Sequence, residues 1–265
     1  AQDEIGGSVT AGMTVDTLGS IEVADGSQLE ISSGTAGGIV ITSLGSITLE
    51  KVDTKDGAIT VSADGLITAT DVLSQGTTAD AVTLSTTKDG VVATKVVSAD
   101  AVTISADAGD IIATSVTAAD QVAVTTSLGD VTVGSITATG GTLGITATTG
   151  SINDASNDND VDLTAGGLIT LTAEDEIGEH ATFADKELEL AAGSSVNTSS
   201  TTVGAIRLDG MGDLTLTDVD TGNGIITVTA AGLLTATDVE SLTDDDSNDI
   251  TLTGTGIAAT LINAG

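Results

Sequence analysis

DAVTLSTTKDGVVATKVVSA (residues 80–99), DAVTISADAGDIIATSVTAA (100–119) and DQVAVTTSLGDVTVGSITAT (120–139) follow one another directly and align without a gap. Four aliphatic columns emerge: Val82, Val102 and Val122; Leu84, Ile104 and Val124; Val91, Ile111 and Val131; Val96, Val116 and Ile136. A fixed period of this size is the signature of a solenoid, in which one repeat is one turn and buries its apolar face only against its neighbours. Within each repeat aliphatic and hydroxyl residues alternate, as in VTIS from Val102 to Ser105. This alternation predicts short strands with Val, Ile and Leu inside and Thr or Ser outside. Asp-Gly pairs at Asp25-Gly26, Asp56-Gly57, Asp64-Gly65, Asp89-Gly90 and Asp209-Gly210 supply the turn chemistry that corners require.

Outward from this stretch, the same spacing predicts turns beginning near Gly37, Gly57, Asp80, Asp100, Asp120 and Gly140, with a small insertion at 74–77. We therefore expect an all-β parallel β-solenoid of about 20 residues per turn, one body over residues 1–265, with an irregular zone at about 153–202. Thirteen such turns, stacked at about 4.8 Å, make a rod on the order of 60 Å long. Residues 45–72 match residues 212–239 at 18 of 28 positions, which reads as the duplication of a block of about eight turns. TLINAG at the end resembles neither a cap nor an anchor. AQDEIGGSV at the start lacks the basic and apolar regions of a signal peptide, and suggests a processed product or a piece of something longer.

Composition agrees with a narrow core. There is no Trp or Tyr and a single Phe, Phe183, although 40% of the residues are hydrophobic. A compact domain would use aromatics to fill its centre. Proline, which deletes a ladder hydrogen bond, is absent. Acidic residues number 39 against 6 basic ones, a formal charge of −33. Nucleic acid and anionic membranes are thereby disfavoured as partners, since both call for clustered Lys and Arg. Such self-repulsion calls for cations or strong solvation. No apolar run approaches the length of a membrane span.

GSITL, GAITVSADGLITATDV, GSINDASNDNDVDLTAGGLITLTAEDEIG and GIITVTAAGLLTATDV together resemble the β-strand repeats of giant secreted bacterial surface proteins, including filamentous-haemagglutinin-like adhesins. The resemblance implies a right-handed parallel β-helix with three short strands per turn, located outside the cell or on its surface. It implies the work of an adhesin, a stalk or an extracellular matrix or fibre scaffold. Self-association end to end, packing against flanking repeats, and contact with extracellular glycan or a cell surface are the expected partnerships.

Carboxylates are the candidate site residues, and Ca²⁺ is the expected cofactor. Asp80, Asp100 and Asp120 occupy equivalent positions in successive turns, as do Asp110 and Asp130. Stacked charges at about 4.8 Å repel unless a cation or a hydrogen bond relieves them. Each Asp either contributes to a Ca²⁺ column or caps its own turn. Two denser loops carry Asp154, Asp158, Asp160 and Asp162, and then Asp244, Asp245, Asp246 and Asp249. The 158, 160, 162 spacing is that of a calcium loop, yet Leu163 replaces the EF-hand glycine and Ile169 its bidentate Glu, which leaves an irregular site.

Catalysis has little to draw on. Cysteine is absent, His180 is the one histidine, and neither GxSxG nor a phosphate-binding glycine loop occurs. A carboxylate pair acting on polysaccharide would need a cleft and usually an aromatic platform. We therefore expect no enzyme. A polysaccharide-active β-helix, or a module binding glycan or ice, is the rival reading. The Thr-x-Thr triplets, such as Thr68 and Thr70, do not recur from turn to turn, so they predict outward strand residues and no continuous array. Asn197-Thr198-Ser199 forms a glycosylation sequon of the kind that chance supplies in a Thr- and Ser-rich chain.

Overall fold

The computed structural model describes residues 9–14, 20–76, 80–156, 158–178, 187–243 and 248–265. Parallel strands stack into a β-solenoid of about 11 turns. Val82, Val102 and Val122 lie in register on neighbouring strands, as do Leu84, Ile104 and Val124. All six are buried. The aliphatic columns extend through one core, from Val23 at one end to Val239 near the other. β-Branched residues suit this interior, because each buries a compact side chain on the pleat without needing the width an aromatic ring demands.

Turns are fewer than the thirteen expected because some are longer than 20 residues. Leu143, Ile169 and Val196 are successive partners in one ladder yet lie 26 and 27 residues apart in sequence. Hydrogen bonding groups the strands into two sheets, one of 12 and one of 15 strands among the described residues. Three faces nevertheless exist in the regular turns. The strand Ile111–Ala118 bends after Ala113, so that Ile111 and Ala113 line one face and Val116 and Ala118 the next. The strand Val102–Ala106 supplies the third.

Corners are built from glycine and from side chains that hydrogen-bond across turns. A Cβ on Gly90 would overlap the carbonyl oxygen of Asp110 in the next turn. Gly109 and Gly129 stack above it with positive φ, a backbone region that other residues enter at a cost. Buried hydroxyls satisfy corner carbonyls from inside: Thr86 Oγ1 donates to Gly65 O at 2.6 Å, Thr126 Oγ1 to Gly109 O at 2.8 Å, and Thr221 Oγ1 to Gly204 O at 2.9 Å. These groups are inaccessible to water, so an unpaired carbonyl there would carry its full desolvation cost.

The duplicated blocks land on opposite sheets. Ile47–Asp56 belongs to the 15-stranded sheet and Ile59–Ala63 to the other, whereas their counterparts Leu214–Thr221 and Ile226–Ala230 are exchanged. The repeat distance is therefore not a whole number of turns. It corresponds to seven ladder steps and one crossing between sheets. The change of phase is made in the irregular zone. Regular turns pass the corner after Ala113 with only Thr114 and Ser115. In two later turns the corresponding corner takes more chain: an excursion separates the strands Ile152–Asp154 and Leu163–Ala165, and a longer stretch of sequence separates Ile177 from the strand Leu188–Leu190.

Candidate functional site

The first excursion leaves the solenoid at Asp154 and returns at Asp162, and the neighbouring turn brings Glu189 beside them. Carboxylate oxygens of Asp154, Asp162 and Glu189 lie within 4.8 Å of one another. Their exposures are 1%, 3% and 1%. Asp162 and Glu189 are fastened through their backbones: the Asp162 N–H donates to Glu189 O at 3.0 Å, and the Glu189 N–H donates to Asp162 Oδ2 at 3.1 Å. The Ser156 N–H donates to Asp154 Oδ1 at 2.9 Å, which closes the start of the loop. Burial pushes the Asp162 carboxyl up to about 7, with the charges of Asp154 and Asp158 adding to the rise, while hydrogen bonding with Glu189 opposes it.

Two oxygens bound to one Ca²⁺ at about 2.4 Å are at most about 4.8 Å apart, so the spacing of this triad is one that a single ion can bridge. The residues fit a hard cation, because every side-chain donor is a carboxylate oxygen and neither imidazole nor thiolate contributes. The triad could hold a metal ion. Three carboxylates at this depth also call for compensation, by a proton or by a cation.

The other expected ligands do not converge in this way. Among the described residues, the triad is the one group of three acidic side chains close enough to share an ion. Asp158 and Asp160 are exposed; the Oδ1 of Asp158 accepts the Asp160 N–H at 2.8 Å, so that pair shapes its own loop. Asp80, Asp100 and Asp120 follow the ladder, with the Asp120 N–H donating to Asp100 O at 3.0 Å. Their environments differ, since Asp80 is buried, Asp100 half-buried and Asp120 exposed. Asp110 and Asp130 act as caps for the next turn: Asp110 Oδ1 accepts the Asp130 N–H at 2.9 Å, and Asp130 Oδ1 accepts the Ser151 N–H at 2.8 Å. A bound N–H relieves the stacked charge without an ion. Asp249 is exposed, while Asp244, Asp245, Asp246, His180 and Phe183 lie outside the described residues.

Glu189 was not among the residues expected from sequence. It sits between Leu188 and Leu190, where alternation assigns it to a solvated outer face. It is buried because the Asp154 to Asp162 excursion brings acidic side chains over that face. Only the register pairing Leu163 with Leu190 could have pointed to it.

A second surface stands out on the 12-stranded sheet. Thr60 and Ser62, Thr83 and Ser85, Thr103 and Ser105 face outward in register, followed by Ala123 and Thr125, Gly144 and Thr146, then Thr170 and Thr172. From Ile39 to Ser200 the outward residues of its eight strands include no charged side chain, although the chain carries 39 acidic residues. A shallow groove of about 230 Å³ runs along its edge past Ser62, Ser85, Ser105 and Asp64. On the other sheet Thr68 is followed in register by Val92, and no hydroxyl array forms on that face. The continuous array lies on the 12-stranded sheet.

No protein-family model matches the chain, and neither a curated protein nor a solved structure matches it.

Proposed function

We propose that the protein is a structural and adhesive segment of a secreted or surface-displayed repeat protein, a stiff acidic rod that spaces or attaches. The observation that carries this reading is the unbroken aliphatic core from Val23 to Val239. A stack in which each turn buries its neighbour resists bending and needs no partner domain. The resemblance to haemagglutinin-like repeats points the same way. The uncharged hydroxyl face supplies an attachment surface toward neutral glycan, since it is the broad strip on which a chain of charge −33 presents hydrogen-bonding groups without carboxylates.

Ca²⁺ at Asp154, Asp162 and Glu189 stiffens the rod where its phase changes. An oxygen-only site of modest affinity suits an extracellular setting, where such modules bind at about 10⁻⁴–10⁻³ M. Melting in Ca²⁺ and in EDTA tests this. Ca²⁺ should raise the melting temperature of the parent and leave Glu189→Gln unmoved; a parent melt indifferent to EDTA would remove calcium from the reading. Attachment is tested with protein-coated beads on neutral polysaccharide and on cell surfaces. Thr103→Glu with Thr125→Glu should abolish binding, whereas equal attachment by this variant would rule out the hydroxyl face.

A further inference from the structure

We infer, on the footing that the hydroxyl face attaches glycan, that its seat is the groove along one edge of that face, which takes a neutral, extended β-1,4-linked polysaccharide lying lengthwise on the rod. Thr42, Ser62, Ser85 and Ser105 stand in register on successive strands, and the column stays Ser or Thr on every strand as far as Ser199. The parallel column, two residues earlier on each strand, is broken by Val40, Ala123 and Gly144. Hydroxyls therefore recur without a gap in one direction only, along the axis, with a step of about 4.8 Å. The groove runs in that direction. Its one wall is the unbroken column, and its other is the corner that carries Asp64, Thr87 and Asp107.

Lys88 Nζ lies 3.0 Å from Asp64 Oδ2, and Thr87 Oγ1 donates to Asp64 Oδ1 at 3.3 Å. Lys88, with help from Thr87, holds the Asp64 carboxyl below its ordinary value, so the corner wall presents an ionised acceptor. Hydroxyls donate and accept, whereas a carboxylate only accepts. A sugar diol serves both walls, since its O–H groups donate to Asp64 and Asp107 while its oxygens accept from Ser and Thr. A uronate or a sulfate ester would instead meet like charge. Acids also close the column at each end, Glu22 beside Thr42 and Asp220 beside Ser199. A straight β-1,4-linked chain presents hydroxyls along its edges at every sugar, with a rise comparable to the ladder step. With no Trp or Tyr to stack on a ring, one sugar gains little, and retention comes from repetition along the groove.

Calorimetry with cello-oligosaccharides tests this, together with gel retardation by neutral hydroxyethylcellulose and anionic carboxymethylcellulose. Kd should fall at least about ten-fold from cellobiose to cellotetraose, which sets one sugar against each turn lining the groove. Hydroxyethylcellulose should retard the protein and carboxymethylcellulose should not. Ser85→Ala with Ser105→Ala should weaken cellotetraose binding at least about ten-fold, and Thr60→Ala with Thr83→Ala less than about three-fold, both with β-sheet circular dichroism retained. Equal losses in the two pairs, or equal affinity for cellobiose and cellotetraose, would overturn the lengthwise seat. So would binding of neither cello-oligosaccharides nor hydroxyethylcellulose; bead attachment to other neutral polysaccharides decides the attachment face separately. Thermal hysteresis without glycan binding would overturn both and assign the ladder to ice.

Discussion

Thr198 shows how a single residue departs from the pattern that surrounds it. It lies in an inward column between Leu171 and Val219, is 1% exposed, and its Oγ1 makes no hydrogen bond. Thr86, Thr126 and Thr221 are equally inward, but their hydroxyls reach a corner carbonyl. Thr198 is mid-strand and has none in reach. Replacing it with valine keeps the shape and removes a stranded hydroxyl, so Thr198→Val should stabilise the protein by about 1 kcal/mol in a denaturant melt. An equal or lower stability would show that the hydroxyl has a partner in solution. The same position belongs to the sequon at Asn197. A reading based on the tripeptide alone places all three residues at the surface, whereas alternation turns the middle one into the core.

At the level of strands, the duplicated blocks keep the same inward positions. Leu49, Val52 and Thr54 correspond to Leu216, Val219 and Thr221, and all six are buried. Their outward residues are only partly kept: Asp53 matches Asp220 and Asp71 matches Asp238, whereas Lys51 is replaced by Asp218 and Leu73 by Glu240. Asp218 and Asp220 on Leu214–Thr221 face Asp238 and Glu240 on Leu233–Ser241, where the uncharged face of the 12-stranded sheet gives way to an acidic patch. Asn197 Nδ2 and Asn263 Nδ2 border it, 3.4 Å from Asp218 Oδ2 and 3.5 Å from Glu240 Oε1. Burial lifts the Asp220 carboxyl to about 6, and the charges of Asp218, Asp238 and Glu240 add to the rise. The folded state thus holds this proton more tightly than the unfolded chain. Its stabilising contribution is complete below the unfolded value near 3.8 and disappears as pH rises through about 6. The melting temperature should therefore fall between pH 4 and 7. Asp220→Asn should flatten part of that slope and melt higher at pH 7. Parallel pH profiles for parent and variant would refute the coupling.

For the whole molecule, turn-to-turn periodicity was legible because each inward column is written three times in succession between residues 80 and 139. The candidate metal triad was legible only in part. Asp154 and Asp162 stood out as a dense acidic loop, but Glu189 lies 27 residues after Asp162, about one lengthened turn away, where the 20-residue count no longer applies. The Asp110 and Asp130 column illustrates the converse. Its spacing was plain, yet spacing alone cannot distinguish a carboxylate bound to a neighbour's N–H from one shared with an ion. What the amino-acid sequence determined unaided was the solenoid itself, the inward set of aliphatic residues and the glycine corners, because period-2 alternation and backbone sterics are local. The tertiary structure alone decided which sheet each block joins, where the uncharged face runs and which acids converge. Those outcomes depend on the residues accumulated between distant segments, and one excursion at a corner re-phases every turn that follows it.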